Sequence, residues 1–83
     1  MNGSFYPGAS GSLQNVGKGK GEGFNLNFPL NPLKDQVVSD QDYIYIFEAA
    51  ILPVLEAYNP EMILVSSGLD CLLHDPLGGL HLT

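Results

Sequence analysis

Three patterns of apolar spacing follow one another along this chain. Phe24-Asn25-Leu26-Asn27-Phe28 alternates apolar and polar positions, the period of a half-buried strand, and Pro29 and Pro32 end it. Tyr43, Ile44, Phe47, Ile51, Val54, Leu55 and Tyr58 then recur at helical spacing and make one broad apolar stripe. Ser39 is a favourable N-cap, Asp42 stands three residues on in the capping-box position, and Asp40 suits the positive end of a helix dipole. The spacing predicts a helix over 40–58, with a kink at Pro53, whose ring removes a backbone donor. Asn59-Pro60 ends it. Met62-Ile63-Leu64-Val65 is a short continuous apolar run of the kind buried on both faces of a parallel sheet, and predicts a strand over 62–66.

Strand, helix and strand in that order make a βαβ unit, so the fold class expected is α/β with part of a parallel sheet. Its crossover is right-handed, and ligands gather beyond the carboxyl ends of its strands. Gly68, Leu69 and Asp70 lie there, at the start of a loop over 67–83. Residues 1–23 are rich in Gly, Ser, Asn and Pro with few periodic apolar positions, and read as a long N-terminal loop. Loops of that length in compact domains are commonly functional, which favours a binding loop within a larger protein.

Composition and charge narrow the picture further. At 83 residues with 45% hydrophobic side chains, the chain has a globular composition but only the length of one small domain, which buries little of its surface. Nine acidic against three basic side chains give a net charge of -6, which disfavours nucleic acid and anionic membrane surfaces as partners. Cys71 is the one cysteine, so no intrachain disulfide can form, and a reducing, cytoplasmic setting is expected. Met1 to Phe5 lacks the features of a secretory signal, and no apolar run approaches a membrane span.

Few side chains carry recognisable chemistry. Asp70 offers a hard oxygen at the end of a strand, where it reads either as a metal ligand or as a turn or cap carboxylate. Gly17 to Gly23 has neither the spacing nor the following helix of a phosphate-binding loop. His74 and His81 stand seven apart with no Cys or Glu at ligand spacing, and read as loop or surface residues. Cys71 has no base partner in the sequence and reads as a buried thiol rather than a nucleophile.

Leu64-Val65-Ser66-Ser67-Gly68-Leu69-Asp70, Asp75-Pro76-Leu77-Gly78-Gly79, Phe5-Tyr6-Pro7-Gly8 and Gly17 to Gly23 together resemble the zinc-dependent histone deacetylase and acetylpolyamine amidohydrolase family. The Pro76-Leu77-Gly78-Gly79 run is nearer to the class II deacetylases and bacterial amidohydrolases than to class I. The resemblance extends from Phe5 to Thr83 and implies a piece from the C-terminal half of an arginase/deacetylase-like catalytic domain. It places Asp70 as one of three zinc ligands, although Leu69 stands where the family usually has Phe. Tyr6 and Leu77 become walls of the tunnel for the acyl-lysine or acyl-amine stem, and Asp75 fixes the loop. Phe24 falls near a structural potassium site built from backbone oxygens.

The implied activity is hydrolysis of acetyl-amide bonds, in acetylated lysine, polyamines or other small amides. No catalytic histidine of the family matches within this chain, and neither do the Asp-x-His ligand pair or the transition-state Tyr. The 83 residues alone are therefore expected to be inactive without the remainder of the domain. An alternative from another class is a non-enzymatic product that acts through protein-protein interaction, since a lone βαβ unit leaves sheet edges uncovered. A small independent domain that matches by chance is a third.

Overall fold

The computed structural model describes residues 8–31 and 35–83, in two compact units that divide between Asn31 and Pro32. The first unit holds two short 3-10 turns, Gly8–Gly11 and Gly19–Gly21, and is built on side-chain amides. Asn27 Nδ2 donates to the carbonyls of Ser10 at 3.0 Å and Ser12 at 2.9 Å, and Asn25 Nδ2 donates to that of Asn15 at 2.6 Å. Asn15 Nδ2 in turn reaches the Ala9 carbonyl at 2.5 Å.

This arrangement changes the reading of 24–28. The apolar-polar alternation separates two kinds of side chain, but no strand forms there among the described residues. Asn25 and Asn27 face the loop carbonyls, whereas Phe24, Leu26 and Phe28 are exposed. Irregular backbone leaves carbonyls without partners, and here the amide groups meet that need in place of a ladder.

Gly17 closes the adjacent turn. Its φ of +100° lies in the region that favours glycine, and a Cβ on it would fall 2.2 Å from the Gly21 carbonyl oxygen. The Gly23 N–H donates across the turn to the Val16 carbonyl at 2.6 Å.

In the second unit, residues 40–58 form one helical run of three parts: α1 (Asp40–Ile46), a π turn (Phe47–Ile51) and α2 (Leu52–Tyr58). The Ser39 backbone N–H and hydroxyl both donate to Asp42 Oδ2, at 2.8 and 3.3 Å, which satisfies a donor that the helix start leaves open. The π turn ends at Ile51, two residues before Pro53. There the Leu52 N–H donates to Phe47 five residues back, so the wider turn absorbs the proline ring and its missing donor without ending the helix. Asn59 closes the run in the left-handed conformation, φ 53°, with its N–H on the Leu55 carbonyl at 2.8 Å.

Residues 62–66 form no strand here either. Met62, Ile63, Leu64 and Val65 are 75, 59, 88 and 81% exposed, so an apolar run suited to burial on both faces is left largely uncovered. A strand exists only through the ladder of a paired segment, and among the described residues pairing is confined to two isolated parallel bridges, Ser39 with His81 and Leu72 with Leu82. They place residues 81–82 between 38–39 and 71–72. Val38, 6% exposed, is the one buried hydrophobic residue among those described, and its carbonyl accepts the His81 N–H at 2.9 Å. No helix among the described residues is long and apolar enough to cross a membrane.

Candidate active-site loop

Residues 68–79 fold back on themselves. Gly68 is extended and leads into a single 3-10 turn, Leu69–Cys71, which the Leu72 N–H closes on the Leu69 carbonyl at 3.2 Å. The Cys71 thiol donates to the Gly68 carbonyl at 3.0 Å, so it serves the turn. Asp70 is exposed in the middle of this turn, and its carboxylate accepts no hydrogen bond among the described residues. A Cβ on Gly68 would lie 3.0 Å from Asp70 Oδ1, so the carboxylate stands close over the backbone of Gly68.

The second half of the loop is organised by Asp75. Its Oδ1 accepts the backbone N–H groups of Leu77 at 2.8 Å and Gly78 at 2.7 Å, while its own N–H donates to the Leu72 carbonyl at 3.1 Å. An Asp followed by Pro and Gly is a sequence suited to such a side-chain-capped turn. Leu77 emerges from it 81% exposed. Gly78 comes so close to the first turn that a Cβ on it would fall 1.6 Å from the Asp70 carbonyl oxygen.

Helix α1 borders the loop through Tyr43. Burial pushes its phenol up from the ordinary value, and the nearby Cys71 and Asp70 charges add to the shift. At the helix start, the Thr83 hydroxyl and backbone N–H both donate to the Asp40 carboxylate, the latter at 2.8 Å, and hold its pKa below the ordinary value. Sequence reasoning assigned Asp40 only to the helix dipole and missed this partner, for which a terminal Thr gives no signal.

The remaining candidates fall elsewhere. Tyr6, with Phe5 and Pro7, lies outside the described residues. Phe24 is exposed, with its N–H on the Gly21 carbonyl at 3.1 Å. His74 stands in the left-handed region with φ 75°, and His81 is exposed with its backbone engaged by Val38. No group of three His, Cys, Asp or Glu able to hold a metal occurs among the described residues. Asp70 fits a metal as one free hard oxygen donor, but a catalytic zinc takes three protein ligands, so the described residues do not make a complete zinc site.

Comparison with known proteins gives this loop its context. Histone deacetylase HDA1 of Candida albicans is 43% identical over 83 residues, which are 99% of this chain and 10% of that protein. Histone deacetylase 18 of Arabidopsis thaliana is 42% identical over 98% of this chain and 12% of its own length. Polyamine deacetylase HDAC10 of Danio rerio is 41% identical over 90% of this chain and 11% of its own length. The crystal structure of the HDA15 HD domain superposes with a TM-score of 0.84 at 38% identity, over 99% of this chain and 22% of that one. The chain thus has the fold of part of a deacetylase domain and spans about a tenth of the length of the curated relatives it matches. Residues 1–83 match the histone deacetylase domain model throughout, and the chain belongs to the histone deacetylase family.

Proposed function

We propose that these residues act as part of a zinc-dependent deacetylase domain that hydrolyses acetyl-amide bonds, and that they are inactive alone. The observation that carries this reading is the match to the histone deacetylase domain along the whole chain, with Asp70 exposed on a built loop and its carboxylate without a hydrogen bond among the described residues. In the complete domain Met62 to Ser66 pairs as a strand of the βαβ unit and directs Asp70 toward the reaction centre. Asp70 contributes one zinc ligand there, and residues outside this chain supply the others. Zinc, when bound, makes water nucleophilic at neutral pH and polarises an acyl carbonyl.

This chain's own contribution is to bind and orient. Tyr6 and Leu77 line the tunnel, where an aromatic face and a branched aliphatic side chain suit the methylene stem of an acetylated lysine or polyamine. The Phe24 backbone contributes to a structural potassium site. A cytoplasmic or nuclear setting accords with the lone Cys71.

The test is zinc content and deacetylation of an acetyl-lysine peptide and an acetylpolyamine. It compares the 83-residue chain, a complete domain that carries it, and Asp70→Ala in that domain. Stoichiometric zinc and turnover in the complete domain, both lost with Asp70→Ala, support the reading. Zinc and turnover that survive Asp70→Ala refute it.

A further inference from the structure

We propose that Asp75 is a positioning residue for the site, setting Asp70 and Leu77 at once through the turn that its carboxylate caps. The inference rests on the deacetylase reading above. Asp75 Oδ1 collects two adjacent backbone N–H groups, Leu77 at 2.8 Å and Gly78 at 2.7 Å, and hydrogen bonds to an ionised acceptor are about twice as strong as neutral ones. The two bonds have different consequences because the two residues go in different directions.

The bond to Leu77 fixes the backbone from which an almost fully exposed apolar side chain projects. A leucine on a surface loop is ordinarily free to turn back over apolar neighbours. Here its peptide is pinned, which fixes the point from which the side chain projects, and at 81% exposure that side chain is open to an aliphatic ligand. The bond to Gly78 draws that residue against the first turn, where the space left at the Asp70 carbonyl admits no side chain. Contact at the Asp70 peptide limits how the 3-10 turn can rotate, and that rotation is what would swing the Asp70 carboxylate away from its direction. The Asp75 N–H on the Leu72 carbonyl ties the cap itself to the residue that follows this turn. A single carboxylate is therefore linked by short paths to both the metal-facing and the substrate-facing side chains of the loop, while its acceptor atom is already engaged by the backbone.

The experiment compares Asp75→Ala, Asp75→Asn and Asp70→Ala in the complete domain. It reads amide hydrogen exchange at Leu77 and Gly78, zinc content, and kcat and KM separately. Asp75→Asn keeps an Oδ1 acceptor. Asp75→Ala is expected to speed exchange at both amides and lower kcat/KM by about 10- to 100-fold, the range seen when supporting groups of a metal site are lost. Asp75→Asn should recover most of both effects. A residue with a merely structural role would lower the unfolding temperature without this paired change in local exchange and KM. The proposal is overturned if Asp75→Ala exchanges and turns over like the parent, or if Asn impairs as much as Ala. Should Asp75→Ala fail to fold, exchange in the parent decides, and unprotected Leu77 and Gly78 amides overturn it. Survival of zinc and turnover in Asp70→Ala would instead sink the deacetylase reading, and the exchange data would still judge the turn.

Discussion

Gly17→Ala tests whether the turn over 16–23 has the geometry described. Two separate obstacles meet at this position. The residue has φ +100°, and the new methyl would fall 2.2 Å from the Gly21 carbonyl oxygen, well inside contact distance. Gly19 provides the matched comparison, because it also has positive φ, +54°, but nothing lies within 4 Å of where its Cβ would be.

The left-handed conformation costs an L-residue about 1–2 kcal/mol. Gly19→Ala should therefore destabilise by about that amount. Gly17→Ala should add the cost of overpacking against a backbone that cannot rotate away, typically about 1–3 kcal/mol, for a total of about 2–5 kcal/mol. Urea unfolding of the complete domain gives the global difference. Exchange of the Gly23 amide, which donates across the turn to Val16, gives the local one. If Gly17→Ala costs no more than Gly19→Ala by either measure, the close approach of Gly17 to Gly21 is refuted.

Three further outcomes are expected. Asp42→Ala removes the acceptor of the Ser39 N–H and should lower the stability of the helix start by about 1 kcal/mol, measured by urea unfolding with Asp42→Asn as control. In a peptide over 39–59, Pro53→Ala restores a donor and should raise helicity by circular dichroism, because the π turn is no longer needed before residue 53. The lowered pKa of Asp40 means that its tie to Thr83 is complete above the ordinary value of 3.8 and is lost as pH falls through the folded value. An NMR titration should show the Thr83 amide follow Asp40, and Thr83→Val, which deletes the hydroxyl donor, should move the midpoint up. An unmoved midpoint would mean the hydroxyl does not hold the carboxylate.

The legible parts of the molecule are those governed by local spacing. Ser39, Asp42 and the stripe from Tyr43 to Tyr58 act within one or two turns of backbone, and a helix closes its own hydrogen bonds, so the pattern suffices. The segments 24–28 and 62–66 depend on partners distant in sequence, and alternation or apolarity says nothing of whether those partners are present. In the loop, Asp70, Asp75 and Leu77 could be picked out by motif. The close approach of Gly78 to the Asp70 carbonyl could not, because a Gly-Gly pair announces a turn but not which peptide it meets. The tie between Asp40 and Thr83 spans 43 residues and leaves no mark in either neighbourhood.

The exposed run from Met62 to Val65 bears directly on the zinc-ligand role proposed for Asp70. Full burial of one such side chain is worth about 1.5–3 kcal/mol, so covering the roughly three quarters of their surface that the four still expose would contribute about 4.5–9 kcal/mol, comparable to the whole net stability of many domains. That contribution is missing where the four are 59–88% exposed. The same segment leads into Gly68 and Asp70, so the burial that would hold it as a strand is also the burial that would hold the carboxylate in direction. A ligand on an uncovered segment loses conformational entropy on binding a metal that a ligand on a packed strand has already lost during folding. On the zinc-ligand reading proposed above, the metal affinity of Asp70 and the covering of Met62 to Val65 should therefore rise and fall together. Replacing Leu64, the most exposed of the four, with Asp in a complete domain should weaken zinc retention although Leu64 is not itself a proposed ligand. Zinc retained at full affinity alongside a destabilised domain would separate the two and show that the loop alone, through its Asp75 cap, holds Asp70.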